Sequence, residues 1–419
     1  MTLLAKRVNK KGRYAAPMSR TTKPLVADDV EIVRRVLAHV DGGTTDEGTP
    51  WREPVENYLN PHRFTQEWNL LRAMPSAFVP SAAIPNKGDH VERVTFGVPL
   101  FAVRGHDQRA RVFRNACRHR GFALVEDAGC SHALVCRYHG WTYRLDGSLA
   151  HVPHAHGFPD LDMSARGLIE VPSYEADGLI VIGAIDSDGA RSSNADADEA
   201  MAWLTDGTTW RDKLLPIDRV VSVESFRLAI NWKVLIEQFL EGYHIRWTHK
   251  ETLPNLYDNL TVVETFGPNS RVTFPYDAIE RLRDRPESTW VGRPPLTFVY
   301  HLFPNVIIGA FPQLVQVVVI DPIDVADSEV VYYTMTRADV GPGMELDGEE
   351  PLDPAELLPY IFRVVAEDNE VSAGVQRGFR AGANKFVEFG RHESAIGHFH
   401  ASLGDRLAQF AATQAHAPL

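Results

Sequence analysis

Two short pairs, Cys117-x-His119 and Cys136-x-x-His139, lie 16 residues apart and together offer two thiolates and two imidazoles. A thiolate and an imidazole one or two residues apart can reach the same small centre, and two such turns facing each other can close around it. The set suits an iron–sulfur cluster in which two histidines replace two cysteines on one of its two irons. A structural zinc site takes the same four ligands, although zinc fingers usually pair Cys with Cys and His with His, whereas this chain alternates them. Cys130 is left over and reads as a small buried residue.

A second group of metal-binding side chains lies in the helical stretch 231–254, NWKVLIEQFLEGYHIRWTHKETLP. Trp232, Ile236, Phe239, Leu240, Tyr243 and Trp247 fall at helical spacing and are expected to bury. Glu237, Glu241 and His244 fall at i, i+4 and i+7, so they share a strip beside that face. On a regular helix His249 would stand about 140° away from His244, so the turn between them must widen or the helix must break before both rings can address one atom. Two histidines five apart also arise by chance in a chain with 17 of them. Further on, Leu358, Ile361, Val365, Asp368, Ser372, Val375 and Phe379 recur by three and four, which sets Asp368 in a mostly apolar seam. A buried carboxylate needs a partner, and a metal ion or a salt bridge would serve. Its neighbour Glu367 points about 100° away and is the weaker candidate. Two histidines and one carboxylate make the facial triad that leaves iron(II) positions open to oxygen.

At these residues the chain resembles a known family. N-x-C-R-H-R-G followed by C-x-Y-H-G-W-x-Y is similar to the signature of the Rieske non-haem iron oxygenases, terminal oxygenase (alpha) component, of the aromatic-ring-hydroxylating family. N-W-K-x3-E-x3-[DE]-x-Y-H-x4-H and E-D-x-x-V-x-x-x-V-Q-R-G resemble that family's mononuclear iron segments, in the family's order, and the resemblance spans roughly residues 55 to 405. It implies that Cys117, His119, Cys136 and His139 hold a Rieske [2Fe-2S] cluster and that His244, His249 and Asp368 hold one Fe(II). It further implies that Glu241 links the iron site to His139 of a neighbouring subunit, that Asn231 is an active-site asparagine, and that Glu237 has a supporting role. Glu stands at 241 where many aromatic dioxygenases carry Asp. The implied partners are a small organic substrate, O2, and a ferredoxin or flavin reductase that passes on electrons from NAD(P)H. The implied assembly is a head-to-tail homotrimer, with or without a separate beta subunit.

Composition narrows the alternatives. Forty-four per cent hydrophobic and 23 per cent charged residues describe an ordinary globular protein, and 419 residues suggest two or three domains. A net charge of −12 disfavours nonspecific nucleic-acid binding. No apolar run approaches the ~20 residues that span a bilayer, and MTLLAKRVNKKGR lacks the apolar stretch of a secretory signal, so the expected location is cytoplasmic. Three cysteines allow no disulfide framework, nor the disulfide that a respiratory Rieske carrier adds beside its ligands. There is no G-x-G-x-x-G fingerprint and no second four-cysteine cluster, so electrons must come from another protein. Arg111, Arg114, Arg118, Arg120, Arg137 and Arg144 surround the cluster loops, either as solvated charges or as a docking patch for an acidic donor.

The elements that must position these residues are α+β by pattern: an all-β Rieske domain, then a helix-grip catalytic domain of antiparallel sheet and long helices. Ala110–Asn115 and Ala133–Cys136 read as strands that lead into the ligand loops. Residues 1–50 form an arm with one helix, Asp28–His39. Residues 51–190 form the Rieske domain, with its core at about 75–187, and a polar linker covers 185–198. Residues 191–419 form the catalytic mononuclear-iron domain. Its expected strands are Arg271–Pro275, Thr297–Leu302, Val306–Gly309, Val315–Ile320 and Val330–Met335, between helices around 231–251 and 355–381. Phe274, Tyr276, Phe298, Tyr300, Phe303 and Phe311 could line a pocket or fill the core. The expected activity is oxygenation of a small aromatic substrate by hydroxylation, dihydroxylation or oxidative demethylation. Oxidation of a quaternary ammonium compound and a non-enzymatic electron carrier are the alternatives.

Overall fold

The computed structural model describes residues 27–185, 217–340 and 350–415; most of the expected linker at 185–198 and the start of the N-terminal arm lie outside them. The expected Rieske region is built from short strands. Val98–Arg104 and Ala110–Arg114 pair antiparallel in a five-stranded sheet ordered 170–171, 110–114, 98–104, 89–95, 129–130. A three-stranded sheet of Leu134–Val135, Thr142–Tyr143 and Leu149–His151 shares a hydrophobic core with it, Phe101, Val103 and Phe113 clustering with Leu134, Tyr143 and Leu149. The strand before each ligand loop therefore exists, slightly shorter than the sequence suggests.

The catalytic half is a seven-stranded antiparallel sheet ordered 217–228, 327–337, 314–324, 306–310, 296–302, 269–275, 262–266. Its interior strand LVQVVVI is buried at every residue from Leu314 to Ile320, as a β-branched run covered on both faces should be. The long helix Pro354–Phe379, the short helix Trp232–Glu237 and the last helix, Ser394–Ala415, pack against this sheet. Two buried ion pairs tie the pieces together. Arg93 of the Rieske half donates from Nε to Asp321 of the catalytic sheet at 3.1 Å. Lys233 Nζ, beside the first helical turn of the metal-binding stretch, meets Glu67 at 2.7 Å, with both side chains fully buried.

The N-terminal segment differs from expectation. The helix is there, at Asp29–Gly42, capped by Asp28, whose Oδ1 accepts from Glu31 N at 2.9 Å. Yet Trp51–Pro54 pairs with Phe386–Phe389, and the helix Pro61–Arg72 supplies Glu67 to Trp232 and Lys233. Residues 51–72 thus pack on the catalytic half. Residues 231–251 also depart from one continuous helix: after Glu237 the chain turns, and helix resumes only at Ile245–Thr248. Trp232, Ile236 and Leu240 bury as expected, whereas the turn throws Tyr243 and Trp247 outward, to 54% and 79% exposure.

His301 lies in the sheet between Phe303 and Phe399, fully buried. Burial, with some repulsion from His398, pushes its imidazole down to about 4 against the Pro304 carbonyl, which favours the proton. The unfolded chain takes up that proton below pH ~6.5 and the folded one does not until pH ~4, so stability falls as pH drops through this window. Urea unfolding at pH 7 and pH 5 should show the wild type losing about 2 kcal/mol more than His301→Gln over that interval.

Candidate metal centres and substrate cavity

The two ligand loops share one backbone pattern. Gly121 N donates to Cys117 O and Gly140 N to Cys136 O, both at 2.8 Å, while Cys117 N reaches Phe122 O and Cys136 N reaches Trp141 O, also at 2.8 Å. Each loop closes on a glycine with φ of +77° or +74°, a left-handed turn that a side chain would strain. Cys117 and Cys136 are buried, and the His119 and His139 rings stand 4.6 Å apart. His119 stacks on Trp141 at 4.9 Å, and Tyr143 Oη lies 3.3 Å from Cys117 Sγ and accepts from Arg118 N at 2.9 Å. His119 Nδ1 is buried without a hydrogen-bond partner. Two buried thiols, two adjacent imidazoles and one unused ring nitrogen fit a [2Fe-2S] cluster with Cys2His2 ligation. His139 is exposed, so that ligand faces outward.

The second group assembles because the helix breaks. His244 stands just before the one-turn helix Ile245–Thr248, and His249 follows it, with its N–H bonded to Ile245 O at 2.9 Å. This brings the rings to 5.1 Å. From the long helix Asp368 Oδ1 lies 2.9 Å from His249 Nε2 and 3.5 Å from His244 Nε2. One ion about 2.1 Å from each of three donors would hold them at roughly these spacings. Burial works against the Asp368 carboxylate, but hydrogen bonds from the two imidazoles outweigh it and hold that carboxyl below its usual range. The three residues form a 2-His-1-carboxylate set whose donor atoms all lie within 4.8 Å, as a mononuclear iron site requires.

A cavity of about 510 Å³ opens onto this triad, within the usual range for small-molecule sites. Sheet parity decides which aromatics reach it. Phe274 and Tyr276, Thr297 and Val299, and Leu314 and Gln316 are spaced by two and share the cavity face. Phe298 and Tyr300 have the opposite parity and lie in the core, where the Arg271 guanidinium stacks on Phe298; Phe303 packs there against Phe399. Of the six expected aromatics, Phe274, Tyr276 and Phe311 therefore line the cavity. Sequence reasoning missed Tyr360, Val364 and Gln238. The first two stand eight and four residues before Asp368, a helical spacing that could have found them.

The remaining candidates fall as follows. Glu241 lines the cavity, with Oε1 against His244 Nδ1 and Oε2 accepting from His244 N at 3.1 Å. Glu237 is buried against Tyr58 Oη at 2.7 Å and His400 Nε2 at 2.9 Å, a supporting place. Asn231 does not line the cavity. It caps the Trp232–Glu237 helix by accepting from Lys233 N at 3.0 Å, and its amide donates to Val325 O at 2.7 Å. In the long helix Gln376, not Val375, continues the buried seam and bonds Asn231 N. Cys130 is exposed rather than buried, on a two-residue edge strand. Of the arginines around the cluster, Arg111 pairs with Asp107 and Arg137 with Glu126. Among the described residues no helix is long and apolar enough to cross a membrane.

Two family models match the chain: the Rieske [2Fe-2S] domain over residues 76–175 and the ring-hydroxylating alpha subunit catalytic domain over residues 215–409. The chain belongs to the Rieske-type non-haem iron oxygenases, as a terminal, alpha-type component. It is 32% identical over 211 residues to a glycine betaine monooxygenase oxygenase subunit of Chromohalobacter salexigens, an alignment covering 49% of this chain and 44% of that protein. The chain thus aligns with about half the length of its curated relatives. The fold is similar to that of the quaternary ammonium Rieske monooxygenase CntA in complex with L-carnitine (TM-score 0.65, 19% identity, 86% of this chain and 96% of that chain). It is also similar to naphthalene 1,2-dioxygenase from Rhodococcus sp. (TM-score 0.67, 18% identity, 90% and 98%).

Replacing Asp368 by Ala should lower iron from about three to about two atoms per chain while the cluster's absorption and paramagnetic resonance signals persist. Retention of the third iron would remove Asp368 from the ligand set.

Proposed function

We propose that this chain is the oxygenase component of a system that oxidises a quaternary ammonium compound, rather than the aromatic substrate first expected from the sequence. The observation that carries this reading is the cavity itself. Phe239, Phe274, Tyr276, Phe311 and Tyr360 line it, and Glu241 and Asp368 stand at its metal end. Aromatic faces attract a quaternary ammonium group, and the Glu241 carboxylate, which is not a metal ligand, favours a cation over a neutral ring. The likeness to a glycine betaine monooxygenase subunit, and Glu241 in place of Asp, support the same reading.

When bound, the cluster and the iron would supply single electrons and oxygen activation. The protein's part is to hold the carbon next to nitrogen near the triad, within reach of attack. The overall reaction takes one O2, two electrons and two protons. One oxygen atom enters a C–H bond as C–OH and the other leaves as water. A hydroxyl on the carbon attached to nitrogen then collapses with C–N cleavage, giving a tertiary amine and a carbonyl compound. NAD(P)H provides the electrons through a separate reductase. We assign Glu241 the link between the triad and the exposed His139 of another copy in a head-to-tail homotrimer, since a closed ring of heterologous contacts can bring the two sites together. Exposed Val135 and Tyr138 beside the cluster, and exposed Tyr243 and Trp247 beside the triad, suit that contact. Exposed Arg120, over the Tyr138 ring, would suit an acidic electron donor.

Oxygen uptake with a donor reductase tests the reading. Betaine-type substrates should stimulate uptake with about one amine formed per O2 consumed, the stoichiometry of monooxygenation. Uptake coupled to product with aromatic hydrocarbons alone would overturn it. Glu241→Gln should keep both metal centres yet slow product formation by on the order of tenfold or more; undiminished turnover would remove the link.

A further inference from the structure

Glu367 and Asp368 are consecutive residues of the long helix, and they hold opposite edges of one imidazole. Asp368 Oδ1 faces His249 Nε2 at 2.9 Å, and Glu367 Oε2 faces His249 Nδ1 at 2.9 Å. A neutral imidazole carries one proton. With that proton on Nδ1 and donated to Glu367, the lone pair on Nε2 points toward the metal site.

Glu367 is itself fixed. Its Oε2 also accepts from Thr252 Oγ1 at 2.6 Å, and Arg363, one turn earlier, reaches Oε1 at 3.5 Å. Thr252 is almost fully buried, its N–H bonds to His249 O at 3.2 Å, and its carbonyl accepts from Tyr360 Oη. His249, Thr252 and Glu367 therefore close a ring of hydrogen bonds around the metal-ligating histidine. Glu241 stands in the same relation to His244 Nδ1, so both rings offer Nε2 to Asp368.

We propose that Glu367 is a positioning residue for the mononuclear iron site: it fixes the tautomer and ring plane of His249, with Thr252 holding it in place, and is not a ligand. This inference rests on the triad as a metal site and not on the identity of the substrate.

The test is titration of Co(II), a spectroscopic probe for the iron, into protein that keeps its cluster but lacks the mononuclear metal, with no substrate present. Glu367→Ala should weaken Co(II) binding by about 10- to 100-fold and alter the cobalt visible spectrum. Glu367→Gln, whose amide oxygen can still accept the Nδ1 proton, should recover most of that loss. Thr252→Val should lose affinity in the same direction by a smaller factor, and it carries the test if Glu367→Ala fails to fold. Cluster absorption and the urea midpoint should stay near wild type. Co(II) affinity within twofold of wild type in Glu367→Ala or Thr252→Val, or an equal loss in Gln and Ala, would overturn the proposal while leaving the substrate reading untouched.

Discussion

The catalytic half is organised around a carboxylate placed where a carboxylate should not rest alone. Asp368 projects from the middle of a long helix into a mostly apolar cavity, where the His244 and His249 imidazoles are its hydrogen-bond partners among the described residues. A buried charge of this kind is costly unless it is paired or coordinates a cation. Asp368, Glu241 and Glu367 all crowd the same pair of rings, an excess of negative charge that a divalent ion would balance. The helix break after Glu237, the buried Lys233–Glu67 pair that anchors the helical turn before it, and the sheet beneath all serve to bring two histidines five residues apart to one point.

Much of this was legible in the sequence. Spacing alone identified Cys117, His119, Cys136 and His139 as one group, and their loops proved to be two copies of one backbone turn. The central strands were legible because β-branched runs bounded by turns have few other readings. Asp368 stood out because an acid in an apolar seam demands a reason.

What the sequence concealed was geometry without a local signal. Tyr243 and Trp247 keep helical spacing with Trp232, yet the helix ends between them, and the metal-binding turn overrides propensity. Phe298 and Tyr300 differ from Phe274 and Tyr276 only in which sheet face they occupy, and parity depends on a register that no single strand displays. Asn231 carries the family's N-W-K motif but spends its side chain on capping and on a distant loop carbonyl. The pairing of Trp51–Pro54 with Phe386–Phe389 joins segments more than three hundred residues apart, beyond the reach of any local pattern.

Two metal centres built into one chain matter only if electrons held at the first are spent on oxygen at the second. Single turnover addresses this directly. Protein with its cluster fully reduced, freed of reductant and mixed with O2 and a betaine-type substrate, should lose the reduced-cluster resonance signal and form amine in proportion to the electrons released, while the Asp368→Ala protein forms none. Cluster oxidation without product in the wild type, or equal product from both proteins, would contradict the assignment of His244, His249 and Asp368 as the oxygen-activating site.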